Sequence, residues 1–266
     1  MVRGLYTAGI GMMSQMNRMD VLSNNLANVD TAGHKRDLSV TRSFTDELLF
    51  RVNAGTPMET ALGFPPVPRP IGRHSSGMVV DEVFVDFSMG RIRATGDALN
   101  FALNGSGFFT VAVELPTGEV VTRYSRDGNF TVDAFGRLVN MSGALVLGFD
   151  DLPIMIPIGE GTPIVDPSGE IIIGGEVVGQ MAIVDFANLE TLRKVGDNLF
   201  DVTDLTEMVL FEGSVIQGYL ESSNVNVVRE MVELINVARM YEANSRFVQA
   251  MDQTLARSVN DIARRQ

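Results

Sequence analysis

The 266-residue chain has no cysteine and no tryptophan, only two histidines and only two lysines, Lys35 and Lys194. Without cysteine there can be no disulfide framework, thiolate nucleophile or cysteine metal site. His34 and His74 are far apart, with no second histidine four residues away to share a metal on one helix face and no Gly-x-Ser-x-Gly elbow around a serine. Basic residues are in deficit. The formal net charge of -12 excludes a nucleic-acid binder, which needs surplus Lys and Arg to neutralise phosphates. Long apolar runs are missing, so no membrane-spanning helix is expected. Met1 to Met16 is apolar, but Gln15, Asn17, Arg18 and Asp20 follow at once with no small-residue cleavage site, so no secretory signal peptide is expected.

What remains is ample for a folded protein. Apolar residues make up 45% of the chain and charged ones 20%, enough to bury a core. The positive charges are almost all arginines, which suits fixed bidentate protein contacts, although codon bias would give the same composition.

Along the chain the pattern changes twice. Near the start, Leu5, Met12, Met19 and Leu26 recur every seven residues, with Ala8, Gln15, Leu22 and Val29 interleaved. This predicts a helix with an apolar seam from about Arg3 to Asp30, its termination begun by Asn28 and Asp30 and followed by the left-handed residue Gly33. A second and longer seam closes the chain. Val227, Leu234, Tyr241, Val248, Leu255 and Ile262 form an unbroken heptad series, with Met231, Ala238 and Val259 as companions. A helix of ~40 residues would be ~60 Å long, more than a small globular domain needs. Asn224 or Asn226 can cap its start, and Glu230, Arg264 and Arg265 complement its dipole. Two such seams at opposite ends predict pairing of the ends with each other or with neighbouring copies.

Between the seams lie short β segments. Strands are expected at 108–113, 120–125, 130–133, 137–140, 144–147, 154–158, 170–173 and 176–186. Pro116-Thr117-Gly118, Asp127-Gly128, Phe135-Gly136 and Ser142-Gly143 supply turns. Residues 79–87 read as a further strand. Pro57, Pro65, Pro66, Pro68 and Pro70 break up the stretch before it. The fold class is therefore α+β: long N- and C-terminal helices pairing as a coiled coil, with a mainly antiparallel β middle. The expected organisation is an N-terminal assembly helix (1–36), an extended proline-containing arm (37–78), a β-rich domain (79–212) and a C-terminal assembly helix (213–266).

Chemical motifs are weak. Gly105-Ser106-Gly107 lacks the Lys-Ser/Thr of a P-loop and the third glycine of a dinucleotide fingerprint, so a tight turn is the better reading. Asp150-Asp151 lacks the alternation of a calcium loop. Asn104, Asn129 and Asn140 fit the glycosylation sequon, which short sequences meet by chance. Met12, Met13, Met16 and Met19 read either as core or as an adaptable binding face. No cofactor, metal or small-molecule substrate is implied.

Two strings at the ends and three in the middle carry a resemblance. Leu22-Ser23-Asn24-Asn25-Leu26-Ala27-Asn28-Val29-Asp30-Thr31-Ala32-Gly33 resembles the N-terminal signature of bacterial flagellar rod, hook and hook-associated axial proteins. Leu99 to Leu103, Gly105-Ser106-Gly107-Phe108-Phe109 and Tyr124-Ser125-Arg126-Asp127-Gly128-Asn129-Phe130 are similar to the family's central motifs. Gly218 to Val227, including Ser223, Asn224 and Val225, resembles the lead into its C-terminal helix. Two positions depart from the family pattern: His34 stands where an aromatic is usual, and Asn100 where an acidic residue is usual.

The resemblance implies a structural subunit of the flagellar basal-body rod, not an enzyme. It would be exported without a cleavable signal by the flagellar type III apparatus. It would then assemble with copies of itself and other rod and hook proteins into the drive shaft that carries torque through the periplasm to the hook. Length and motif wording favour the rod proteins, of FlgF or FlgG type, over the longer hook protein, and the opening Met1 to Ala8 favours the proximal-rod (FlgF) type over the distal-rod (FlgG) type. Two rivals belong to other classes. One is an adhesive or carbohydrate-binding β-domain oligomerised by its helices, for which the exposed aromatic strip is missing. The other is a cell-wall hydrolase, for which no paired carboxylates are evident.

Overall fold

The computed structural model describes residues 2–43, 47–51, 69–74, 77–116, 118–157, 161–196 and 198–263. The chain divides into two compact units. One comprises Met1–Ser23, Ser39–Val83 and Met231–Gln266, and the other Asn24–Leu38 and Phe84–Glu230.

Helix α1 (Val2–Ala27) contains neither proline nor a charge cluster to interrupt it. Its interleaved residues Ala8, Gln15 and Leu22 are buried, and Met12 and Met19 are half-buried. The helix ends at Ala27, where the asparagine signal at Asn28 places its termination. Asn28 donates its backbone N–H to Asn24 O at 3.1 Å, and its side-chain amide donates to the same carbonyl at 2.9 Å. This local competition is the usual way asparagine ends a helix. Gly33 lies six residues beyond Ala27, with φ +66°.

Helix α2 (Val227–Ala263) is 37 residues long. Of the two expected caps, Asn226 is the one used, its Oδ1 accepting from Arg229 N at 3.1 Å. Arg264 and Arg265 lie outside the described residues. The main heptad series lies on the shielded face, where Val227, Leu234, Tyr241 and Val248 are half-buried. The companion positions divide by exposure. Glu230, Val237, Asn244 and Met251 are the shielded companions, Val237 being 0% exposed, whereas Met231 and Val259 are exposed. Ala238 is half-buried like the main series, and polar Glu230 and Asn244 share the covered face with Val237.

In the first unit the two helices run in opposite directions. Arg18 pairs with Glu233 at 3.0 Å, Gly11 faces Asn244, and the Phe247 ring lies against Gly4. These contacts do not establish the expected coiled coil, since a groove of about 470 Å³ opens along α1 between Leu5, Met13, Met16 and Tyr241. Strand β1 (Arg36–Ser43) pairs with β4 (Met78–Asp86), and β2 (Glu47–Arg51) pairs antiparallel with β3 (Arg69–His74). Strands therefore occupy part of the stretch read as an extended arm, and Pro70 falls within β3. Pro57, Pro65, Pro66 and Pro68 lie outside the described residues.

The second unit is built on the hairpin of β7 (Phe108–Glu114) and β8 (Val120–Ser125), registered from Phe109↔Ser125 to Glu114↔Val120. The first five residues of β7 are all buried, so β7 is covered on both faces. Phe109 and Val111 enter one core with Phe101, Phe130 and Ile171, while Phe108 enters another with Tyr124, Phe186 and Phe200. Edge-on rings, Phe109 with Phe130 at 5.1 Å and Tyr124 with Phe186 at 5.0 Å, add directional packing to the area buried. The sheet extends through β9 (Phe130–Val132), β10 (Leu138–Asn140) and β11 (Leu145–Val146) on one side, and through β17 (Leu199–Asp201) and β16 (Arg193–Gly196) on the other.

Two expected strands are corrected. Residues 154–158 make only isolated bridges among their described members, through Met155 to Arg137. The stretch 176–186 splits into β14 (Glu176–Gln180) and β15 (Ile183–Phe186), interrupted where Met181 bridges Gly148. Short strands with little alternation went unread, notably β5 (Ile92–Ala94), β6 (Phe101–Asn104), β19 (Ser214–Gln217) and β20 (Tyr219–Glu221). These fasten the segment before α2: β19 pairs with β6 and β20 with β5.

Candidate functional site

Each unit carries one feature that composition alone does not predict. In the second unit it is a buried charge cluster. Lys35 Nζ donates to Glu221 Oε1 at 2.7 Å, both side chains being 2% exposed. Gly90 N donates to the same oxygen at 2.7 Å. Arg126 Nε donates to Glu221 Oε2, also at 2.7 Å. The outer arginine nitrogens donate to the carbonyls of Gly105 and Gly107. The Gly-Ser-Gly turn thus presents carbonyl oxygens to a guanidinium and is no phosphate cradle. Two cations around one carboxylate satisfy the rule that buried charge must be paired.

Burial works to raise the Glu221 pKa. The charges of Arg126 and Lys35, with the hydrogen bonds from Lys35 and Gly90, outweigh it and hold the carboxyl below its ordinary range. Burial pulls the Lys35 ammonium down from the usual lysine value, with Glu221 opposing it. A second layer lies next to this pair. Arg36 NH2 contacts Asp86 at 3.0 Å and its NH1 lies 3.6 Å from Glu230, while Asn224 accepts from Arg36 N and donates to Asp86 O. Residues 24–38, the β core and the first turn of α2 are thereby tied by side chains from four distant places in the sequence.

Gly33 sits against this cluster. Its φ of +66° is in the left-handed region, and a Cβ there would lie 2.5 Å from the Arg126 carbonyl carbon and the Asp127 nitrogen. Only glycine meets both demands. Gly128 is similarly forced, because a Cβ would lie 1.8 Å from Phe101 O. His34 is buried, with Nδ1 3.0 Å from Asn198 Oδ1. Burial lowers its pKa, opposed by the Asn198 bond. Burial raises Asp127 to about 6, against a hydrogen bond from Asn129 N. Asn100 donates to Thr95 Oγ1 at 2.9 Å and to the Asp97 carboxylate at 3.3 Å, so a neutral amide stands beside Asp97.

In the first unit the feature is apolar surface. Leu5, Tyr6, Met13 and Met16 of α1, and Met231, Val232, Ile235, Phe247, Leu255 and Val259 of α2, are exposed. Of the residues read as assembly positions, Leu22 is buried, and Met12, Met19, Leu26, Val29, Val227, Leu234, Ala238, Tyr241 and Val248 are half-buried. Ile262 is in α2 with its side chain outside the described residues. Of the motif residues, Asn25, Gly33, Gly107, Phe108, Phe109, Arg126, Gly128 and Val225 are buried. Asn28, Asp127, Ser223 and Asn224 are half-buried, while Asn24, Ala27 and Gly105 are exposed. Sequence reasoning missed Lys35, Arg36, Asp86 and Glu221 as a set. The available signal was Lys35 itself, one of two lysines, and an acid following Tyr219-Leu220 in an apolar strand.

Two long helices near the chain ends, a β core between them in sequence and apolar residues exposed on both helices fit the class of structural proteins. Three families match in chain order. Residues 5–35 match the family described as flagella basal body rod protein, 102–173 the D1 domain of flagellar hook proteins FlgE/F/G, and 216–262 the C-terminal region of flagellar basal body rod FlgEFG proteins. The chain is 32% identical to the flagellar basal-body rod protein FlgG of Buchnera aphidicola subsp. Schizaphis graminum over 96% of its own length and 98% of the relative's. It is 32% identical to FlgG of Bacillus subtilis, covering 98% and 99%, and 32% identical to FlgF of Caulobacter vibrioides, covering 99% and 98%. The chain belongs to the flagellar basal-body rod protein family. The preference for the FlgF type is not supported, since FlgG proteins recur among these relatives.

Proposed function

We propose that this chain is a shaft-forming subunit of the flagellar rod, of the distal FlgG type, joined through the uncovered faces of α1 and α2 to further copies and other axial proteins. The observation that carries this reading is the pair of long helices whose apolar residues stay exposed, from Leu5 and Met13 to Ile235 and Phe247. Burying each such side chain contributes on the order of 1.5–3 kcal/mol, and a lone chain leaves that contribution unrealised. The assembly positions read from the heptads, Leu5 to Val29 and Val227 to Ile262, belong to this proposal. So do export through the flagellar type III apparatus and transmission of torque to the hook. Glu221, Lys35 and Arg126 fasten the β core to the segment that follows α1 and to the strand that precedes α2.

Electron microscopy of basal bodies from a strain lacking the chain tests the reading. A rod truncated beyond its membrane-proximal part supports it and gives the position. Complete flagella with normal motility overturn it, and loss of the whole rod would instead place the subunit at the proximal end.

A further inference from the structure

With no cysteine, all the sulfur in this chain is methionine, fifteen residues in total. Four of them, Met12, Met13, Met16 and Met19, fall within two turns of α1. Met13 is 68% exposed and Met16 54%. Both line the groove of about 470 Å³ together with Leu5, Tyr6, Ile10 and Tyr241. The groove is apolar throughout, apart from the Tyr6 and Tyr241 hydroxyls, so a single new dipole there would change its character.

We propose that Met13 and Met16 form an oxidation-sensitive site that decides whether the subunit can join the assembly. A hydroperoxide is the oxidant class. The thioether lone pair attacks the terminal peroxide oxygen. An S–O bond forms as the O–O bond breaks, and the displaced oxygen takes up a proton and leaves as water or an alcohol. Sulfur loses two electrons and the peroxide gains them. The product sulfoxide is polar and chiral where the thioether was apolar and flexible. Burying it against another apolar helix requires desolvating a strong S=O dipole, which costs free energy that burying the reduced side chain does not. Reduction by a thiol-dependent sulfoxide reductase restores the face, and the thiols must come from outside, since the chain has none. Met181, 2% exposed in the β core, is the shielded reference, and Met141, 69% exposed at a hairpin tip of the second unit, is the reference for exposure without the groove.

This inference rests on the assembly role proposed for α1. Its test combines site-resolved mass spectrometry with basal-body incorporation. The purified full-length chain, treated with graded hydrogen peroxide, should gain oxygen at Met13, Met16 and Met141 well before Met181. In cells, Met13→Gln with Met16→Gln, which imitates the polar sulfoxide, should lower the amount of chain in isolated basal bodies. Met13→Leu with Met16→Leu should incorporate normally, and Met141→Gln should match the wild type. Normal incorporation of the double glutamine variant, or an equal loss with Met141→Gln, overturns the oxidation site. A Met16→Glu variant separates the two levels. Normal incorporation of that variant overturns the assembly role of the groove itself, whereas its exclusion alongside a tolerated glutamine pair overturns only the oxidation inference.

Discussion

Lys35 and Glu221 are 186 residues apart in sequence and form a 2.7 Å ion pair with both side chains 2% exposed. The pair joins the segment following α1 to the strand preceding α2. Arg126 shares the same carboxylate, so three segments of the second unit meet at Glu221.

Removing members of this cluster should have unequal effects. Glu221→Gln takes the charge from two buried cations, while Lys35→Met leaves Arg126 still paired. Breaking a buried pair from one side costs about 3–5 kcal/mol. Glu221→Gln is expected at the upper end of that range and Lys35→Met at or below the lower end. Denaturant unfolding of the β unit, followed through its tyrosines, checks the ranking. A larger loss for Lys35→Met would show that the lysine, and not the shared carboxylate, organises the cluster.

Acid stability should reflect three groups with different signs. Asp127 has its folded pKa raised to about 6, so it opposes folding above that pH and the penalty is relieved as pH falls from about 6 toward its unfolded value near 4. His34 has a lowered folded pKa. The unfolded chain therefore binds the extra proton, and stability is lost as pH falls below its unfolded value of about 6.5. Glu221 is held low, so its contribution is present above the unfolded value near 4.3 and disappears as pH falls through its folded value. Asp127→Asn should raise stability at pH 7 and steepen the decline between pH 6 and 4. His34→Phe should flatten that decline, at about 1–3 kcal/mol of cost from the unpaired Asn198. Thermal melts from pH 4 to 8 read both, and identical slopes in the two variants would refute the assignment.

Gly33→Ala separates conformational strain from contact. Gly118 has φ +82° with nothing near its missing Cβ, whereas Gly33 has φ +66° with backbone atoms at 2.5 Å. Alanine at Gly118 should cost the left-handed penalty of about 1–2 kcal/mol. Alanine at Gly33 should cost clearly more, because Arg126 must move and its bonds to Glu221 and the Gly105 and Gly107 carbonyls move with it. Equal melting-point losses would show that the 126–127 backbone gives way freely.

The sequence announced the elements whose physics is local. The α1 and α2 seams, the β7–β8 hairpin and the Asp127-Gly128 turn all carry their pattern within a few residues. It did not announce β5, β6, β19 and β20, each of three or four residues, whose pairing depends on partners over a hundred positions away. The charge cluster was hidden for the same reason, since Lys35, Arg126 and Glu221 become a set only once the chain has folded. On α2 the apolar count left out Glu230 and Asn244, which share the covered face with Val237, because it cannot see polar residues that are shielded.

The two faces of α2 provide the sharpest test of where assembly occurs. Val237 is 0% exposed and Ile235, two positions earlier on the opposite side of α2, is 49% exposed. Glutamate at Val237 buries an unpaired charge, so Val237→Glu should destabilise the helical unit outright, seen as lost helicity and a lowered melting temperature. Glutamate at Ile235 remains in water in the isolated chain and should leave the melt within about 0.5 kcal/mol of the wild type. It should nevertheless keep the chain out of isolated basal bodies, because the same charge would be desolvated against a neighbouring subunit. A stable Ile235→Glu chain that enters the rod at the normal level would mean that this face stays in solvent after assembly, and the interface would then have to lie on the α1 side of the unit.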